Sequence, residues 1–160
     1  MLNIILICVG KLKEKFYIDA AEEYCKRLSR FCSLEVIEIP EYRLPDHPLN
    51  THISLGLEKE YESIMKKLPQ GALTIAMNID GREMSSLELS EYITDNSVKG
   101  TSKICFILGS SYGLHENIYN SVDMRLSLSK MTFPHHLARV ILLEQLYRAF
   151  SISAGAMYHK

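Results

Sequence analysis

Three stretches of the chain are apolar without alternation: "IILICV" at 4–9, "ALTIAMNI" at 72–79 and "KICFILG" at 103–109. A strand with one wet face alternates apolar and polar residues. An unbroken run instead suits a strand covered on both sides, as in a parallel sheet between layers of helices. The segments between these runs have helical periodicity. Residues 15–31 bring Phe16, Ala20, Tyr24 and Leu28 to one face and leave Glu22, Glu23, Lys26 and Arg27 for solvent, while residues 54–68 align Leu57, Tyr61, Ile64 and Leu68. This alternation predicts one α/β domain over residues 1–160, with a mainly parallel sheet flanked by helices. A chain of 160 residues that is 47% hydrophobic can bury one real core, and a second domain is not expected.

"LEVIEIP" at 34–40 reads as a further strand, ended by Pro40 and nearer a sheet edge. "EYRLPDHPLNTH" at 41–52, with two prolines, is expected to be a loop, either a lid or a plain crossover. Asp80 and Gly81 predict a turn after the third strand, and Ser85 with Glu88 has capping-box spacing before the next helix. A short helix should start within "SSYGLHENI". "MRLSLS" at 124–129 alternates, setting Met124, Leu126 and Leu128 against Arg125, Ser127 and Ser129. The last helix is expected over 134–152, with Pro134 in its first turn, Thr132 as a candidate cap and an exposed Glu144–Arg148 pair. Its apolar stripe, from Leu137 to Phe150, is wider than one sheet contact needs, which suggests burial against a second subunit.

With 18 Lys and Arg against 19 Asp and Glu, the net charge of -1 carries no global signature of nucleic-acid binding. The tail differs: Arg125, Lys130, Arg139, Arg148 and Lys160 face a single acid, Glu144, so this end could attract an anion. Cys8, Cys25, Cys32 and Cys105 lack CxxC spacing and read as reduced, mostly buried thiols. "MLNIILICVGK" has no basic leader and is too short to span a bilayer, so a cytoplasmic protein without a membrane partner is expected.

In sheets of this kind ligands gather beyond the C-terminal ends of strands. Gly81, Gly109 and the serines at 127–129 all follow predicted strands, and their convergence is the strongest site signal that does not depend on a family. "LGSSYGL" fits either an anion-binding loop or a structural turn, and it is neither GxGxxG nor a P-loop. Adjacent His135 and His136 do not have the spacing of a metal pair, and no metal site is expected. No serine lies in a GxSxG elbow, which disfavours covalent hydrolysis. In "GAMYHK", Gly155 should end the long helix. Tyr158, His159 and Lys160 then form either a mobile terminus or a group able to stack on a base, take a proton and touch phosphate.

"LGSSYGL", "SLSKMTFPHHLARVILLEQLYRAFSI" and "GAMYHK", with "ILICVGKLKEKF" and "NIDGREMSS", resemble the RlmH-type ribosomal RNA large-subunit methyltransferases of the SPOUT class over essentially the whole chain. The resemblance implies a homodimer with a C-terminal trefoil knot. The implied activity is methylation of N3 of a pseudouridine in the helix 69 loop of 23S rRNA on assembled ribosomes, with S-adenosylmethionine as cofactor. It also implies a cofactor site made by Met77, Gly109, Leu128, Ser129, Lys130, Met131, Thr132 and Phe133. Tyr158, His159 and Arg148 become candidates for substrate positioning or proton transfer. Two residues depart from the usual pattern: Ser110 stands where a second glycine is common, and Met157 where a proline precedes the terminal Tyr-His. The alternative reading is a non-catalytic ribosome-binding dimer that keeps the scaffold.

Overall fold

The structure, a computed structural model, describes residues 1–159; Lys160 and the side chain of His159 lie outside the described part. Five strands form one sheet: β1 (Asn3–Val9), β2 (Ser33–Ile39), β3 (Leu73–Glu83), β4 (Lys103–Leu108) and β5 (Met124–Ser127). Their spatial order is β2-β1-β4-β3-β5, and all pairings are parallel. The helices are α1 (Lys15–Leu28), α2 (Asn50–Lys67), α3 (Ser86–Val98), α4 (Glu116–Ser121) and α5 (His135–Ser153). A 3-10 turn over Met157–His159 follows.

The unbroken apolar runs are explained by two cores, one on each face. Ile4, Leu6, Cys8, Ile104, Phe106 and Leu108 pack with residues of α1, α3 and α5, including Leu28, Ile93, Leu142 and Leu146. Ile5, Ile7, Val9, Cys105 and Ile107 point the other way, onto Ile64 of α2 and Ile118 of α4. Successive strand side chains alternate faces, so every position after the first in β1 and β4 needs an apolar residue. The four free cysteines are buried or half-buried, and burial pushes the Cys8 thiol up to about 12.

Some element boundaries differ from the sequence pattern. α1 stops at Leu28 rather than 31, and Phe16, expected on its inner face, is 65% exposed. α2 starts at Asn50, so the loop after β2 is shorter than residues 41–52; the imidazole Nδ1 of His52 accepts a hydrogen bond from Leu49 N at 3.0 Å. The Ser85–Glu88 capping box is present: Glu88 N donates to Ser85 Oγ, and Ser85 N to Glu88 Oε2. Pro134, not Thr132, is the cap residue of α5, and it makes no side-chain capping bond. α5 has no continuous polar face: α1 and α3 flank it, and the Ser90 hydroxyl of α3 donates to Ala149 O at 2.7 Å. Among the described residues no helix is long and apolar enough to cross a membrane.

Candidate functional site

Because the strands are parallel, the loops leaving β1, β4, β3 and β5 all emerge at one edge of the sheet. Three of them close around a cavity of about 550 Å³.

The first loop lies inside β3. Met77 and Arg82 both stand opposite Leu126 of β5, so residues 78–81 are looped out of the ladder. The expected turn at Asp80–Gly81 is therefore a bulge within the strand and not its end. Asn78 Oδ1 accepts from Asp80 N at 3.0 Å and shapes the bulge. A Cβ at Gly81 would lie 2.8 Å from the Arg125 carbonyl carbon, so only glycine lets the strand rejoin β5.

The second loop follows β4. Gly113, with φ +79°, donates its N–H to Ser110 O at 2.9 Å, and Tyr112 N donates to Ser110 Oγ at 3.2 Å. This turn folds back so tightly that a Cβ on Gly109 would overlap the Gly113 carbonyl. Close approach at Gly109 is thus made by the chain itself, and Ser110 supplies the hydroxyl that pins the turn. Tyr119 of α4 braces the same loop by accepting from Leu114 N at 3.1 Å.

The third loop carries the chain from β5, at the sheet edge, past the ends of β3 and β4 to α5, which begins beside β1. Ser127 donates its hydroxyl to Ser129 O at 2.9 Å, and Ser129 Oγ accepts from Met131 N at 3.0 Å. Arg139, one turn into α5, anchors the far end. Its guanidinium donates to Gly10 O at 2.7 Å and to Glu38 Oε2 at 2.9 Å, joining the helix to the ends of β1 and β2.

Of the eight residues expected at a cofactor site, Met77, Gly109, Leu128, Ser129, Met131, Thr132 and Phe133 line this cavity. Lys130 is exposed and does not line it. Asn78, Ile79 and Tyr119 were not among the sequence candidates; Asp80, read only as a turn residue, Tyr112, within the glycine loop, and His135, whose role the sequence left open, also line it. The Asn-x-Asp spacing was a signal for the bulge, whereas nothing local in the sequence marks Tyr119 as a wall residue.

Arg148 and Tyr158 lie elsewhere. From residue 135 to residue 148 α5 rises about 20 Å, and neither residue lines the cavity. The Arg148 guanidinium donates to Glu144 Oε1 and stacks over the Tyr158 ring at 4.9 Å. Tyr158 packs edge-on against Tyr147, with ring centroids 4.6 Å apart. The Glu144–Arg148 pair is partly buried, not exposed as expected. Burial pushes the Tyr158 phenol up to about 12, so at neutral pH it is a hydrogen-bond donor and not a base. The expected basic tail is also reduced. Arg139 and Arg148 are engaged by acids, and Arg125 is held by Tyr119 O and Asn120. The candidate base His159 has its side chain outside the described residues.

His135 lines the cavity with its ring 4.1 Å from that of His136, and both Nε2 atoms are buried without a hydrogen-bond partner among the described residues. Burial, and then the neighbouring His136, hold His135 below the ordinary imidazole value. Folding therefore favours its neutral form. That contribution is complete above the unfolded value of about 6.5 and is lost as the pH falls below it toward the depressed folded value. Thermal unfolding is expected to shift to lower temperature on acidification through this window. His135→Phe should flatten the pH dependence; an unchanged slope in the variant would refute the assignment.

The family model described as "Predicted SPOUT methyltransferase" matches residues 2–159. The chain is 45% identical to the ribosomal RNA large subunit methyltransferase H of Clostridium novyi and 46% identical to that of Bifidobacterium animalis, in both cases over 99% of this chain and 100% of the relative. Among solved structures, a probable methylase family protein from Haemophilus influenzae superposes with TM-score 0.56 at 15% identity, covering 99% of this chain and 70% of that one. The tRNA (m1G37) methyltransferase from Aquifex aeolicus superposes with TM-score 0.52 at 15% identity, covering 92% and 69%. These two likenesses establish the fold, while the full-length relatives establish the branch. The chain belongs to the SPOUT methyltransferase family, in the branch of the ribosomal RNA large subunit methyltransferases H, and it is a methyltransferase.

Proposed function

We propose that this enzyme transfers a methyl group from S-adenosylmethionine to N3 of a pseudouridine in the helix 69 loop of 23S rRNA, acting as a cytoplasmic homodimer on assembled ribosomes. The observation that carries the reading is the composition of the cavity. Among its lining residues there is no Lys or Arg, and the one carboxylate is Asp80. No cationic side chain would meet a nucleotide phosphate there, whereas a sulfonium cation needs no cationic cradle.

The residues fit such a cofactor. Leu108, Leu128, Met131 and Phe133 offer apolar surface to an adenine and a thioether chain, and the backbone of the three loops offers N–H and C=O groups for the purine edge. About 550 Å³ lies within the range of small-molecule sites. When bound, S-adenosylmethionine supplies an electrophilic methyl group. The protein then has to align the acceptor nitrogen opposite sulfur and receive its proton, so that an N–C bond forms as the S–C bond breaks.

Tyr158 and Arg148 belong to this reading as substrate-positioning groups, and His159 as a substrate-positioning or proton-transfer group, supplied across a dimer. What supports the dimer is distance: in one chain Arg148 and Tyr158 are held far along α5 from the cavity, so a second copy is needed to bring a tail to it. The trefoil knot of the class is part of the same proposal. Its support is the long crossing of residues 128–134 over the strand ends before α5 docks.

The test is mass spectrometry of the helix 69 fragment from ribosomes incubated with protein and isotopically labelled cofactor. One labelled methyl on the pseudouridine base is expected. No label, despite calorimetric cofactor binding by the folded protein, would reject the assignment. His159→Ala is expected to lower the transfer rate by about tenfold or more while leaving cofactor affinity unchanged. Wild-type turnover on ribosomes would remove His159 from the mechanism.

A further inference from the structure

The cavity has no cation on its walls, yet the proposed substrate is a polyanion, so its phosphates must be met elsewhere. The tail residues that sequence counting favoured are engaged: Arg139 by Glu38 and Arg148 by Glu144. The cations that remain on the loops at this edge of the sheet come from distant parts of the chain. Lys11 and Lys13 follow β1, Arg43 follows β2 and Lys130 follows β5. All four are exposed, and among the described residues none forms an ion pair or a side-chain hydrogen bond.

Three acids in or beside these loops make contacts within the chain while remaining exposed. Glu14 lies 3.7 Å from His136, Glu38 takes Arg139, and Glu41 Oε2 is directed at Gly10, 3.2 Å from where a Cβ would stand. Glu38 is thereby paired with the buried Arg139, Glu14 lies beside the His136 ring, and Glu41 is folded against the backbone. Lys11, Lys13 and Arg43 present positive charge toward solvent, beside the exposed Asp46 of the loop after β2.

In the sheet order, β2 and β1 lie on one side of the cavity and β5 on the other. β5 is four interstrand gaps of about 4.8 Å from β2, roughly 19 Å, and Lys130 lies on the loop that leaves β5 and crosses the strand ends. Between them, at the mouth, stand the exposed side chains of Tyr112 and Met131, an aromatic and an apolar surface suited to a nucleobase.

We propose that Lys11, Lys13, Arg43 and Lys130 form a bipartite phosphate-binding rim that lays the RNA backbone across the mouth of the cavity. This rests on the reading of the protein as an RNA methyltransferase and names the surface that holds its substrate. The contacts are to phosphate, so they position the RNA without reading its sequence. The two sides of the rim act on one strand passing over the mouth.

The experiment measures equilibrium binding of a helix 69 hairpin oligonucleotide and of ribosomes to wild-type protein, to the triple variant Lys11→Ala/Lys13→Ala/Arg43→Ala and to Lys130→Ala, over a salt series. Direct binding is read independently of methylation, so failure of the rim and failure of the proposed reaction are separable. The triple variant is expected to bind both ligands roughly ten- to a hundredfold more weakly at low salt. The slope of log K against log salt should fall by about 0.7 to 1 for each cation removed. Lys130→Ala should lower the slope by one such step, and Lys11→Arg/Lys13→Arg should restore binding. Calorimetric cofactor affinity of the triple variant should stay at the wild-type value. An unchanged slope and affinity in the triple variant would overturn the proposal. So would loss of ribosome binding with hairpin binding intact, because the rim would then be meeting an acidic ribosomal protein surface and not RNA.

Discussion

Gly109→Ala is expected to weaken cofactor binding about a hundredfold, close to 3 kcal/mol, while the fold survives. The reason is internal to the protein. A methyl group at this position overlaps the carbonyl of Gly113, which is backbone and part of a turn tied at both ends by Ser110. The turn must open to accept it, displacing Tyr112 and Ser111 from the cavity wall. Gly113→Ala offers a graded comparison. Its Cβ would meet only the Tyr119 hydroxyl at 3.0 Å, but its φ of +79° is strained for any L side chain, at about 1–2 kcal/mol. The order Gly109→Ala worse than Gly113→Ala, read by titration calorimetry with S-adenosylmethionine, checks the geometry. Wild-type affinity in Gly109→Ala would show that this loop does not form the site.

The largest stability effect is expected from Arg139→Ala. Arg139 is 4% exposed, and its guanidinium serves two acceptors, Gly10 O on the loop after β1 and Glu38 on β2. Removing it leaves a buried carbonyl without its charged donor and a carboxylate without its partner. Glu38 is 36% exposed and can be partly rehydrated, so the loss is set at about 3 kcal/mol, toward the lower end for a broken buried pair. For a domain of this size that lowers Tm by roughly 6–12 °C. Arg139→Lys should recover only part of it, because a single ammonium cannot reproduce the fork that reaches both oxygens. The cavity residue His135 lies one helical turn earlier, so the variant should also lose cofactor affinity. Differential scanning calorimetry of the two variants decides the first point: equal Tm values for Arg139→Ala and wild type would mean that the pair contributes nothing net.

Much of the architecture was legible because it follows from periodicity. Unbroken apolar runs required strands covered on both faces, and β1 and β4 feed two separate cores with alternate residues. The capping box at Ser85 and Glu88 was equally readable, since both partners lie within four residues and need only local geometry. Boundaries were less secure where tertiary pairing overrode a local signal. Asp80–Gly81 has turn chemistry, yet the strand resumes beyond it because Arg82 and Glu83 pair again with β5. Phe16 has the spacing of a core residue, but α1 begins at Lys15 and this side chain in its first turn is left exposed.

For the site, the chain by itself supplied the strand-end glycines, the serine loop and the resemblance of its motifs to a methyltransferase family, all of which depend on residue order. Which charges are available depended on the folded structure. Five cations against one acid within residues 125–160 suggested a basic tail, but Arg139 finds Glu38 across 101 positions of sequence, and Arg148 is taken by Glu144 on its own helix. Counting charge along a chain ignores such pairing, and only packing decides which ions are compensated. Likewise, no local pattern marks Lys11, Arg43 and Lys130 as residues of one edge of the sheet. A parallel sheet in the order β2-β1-β4-β3-β5 brings their loops to one edge. Sequence determined the strands, the helices and the chemical character of the loops, because these are set by side-chain type at short range. The tertiary structure decided which loops meet and which charges remain free, because both depend on contacts between residues far apart in the chain.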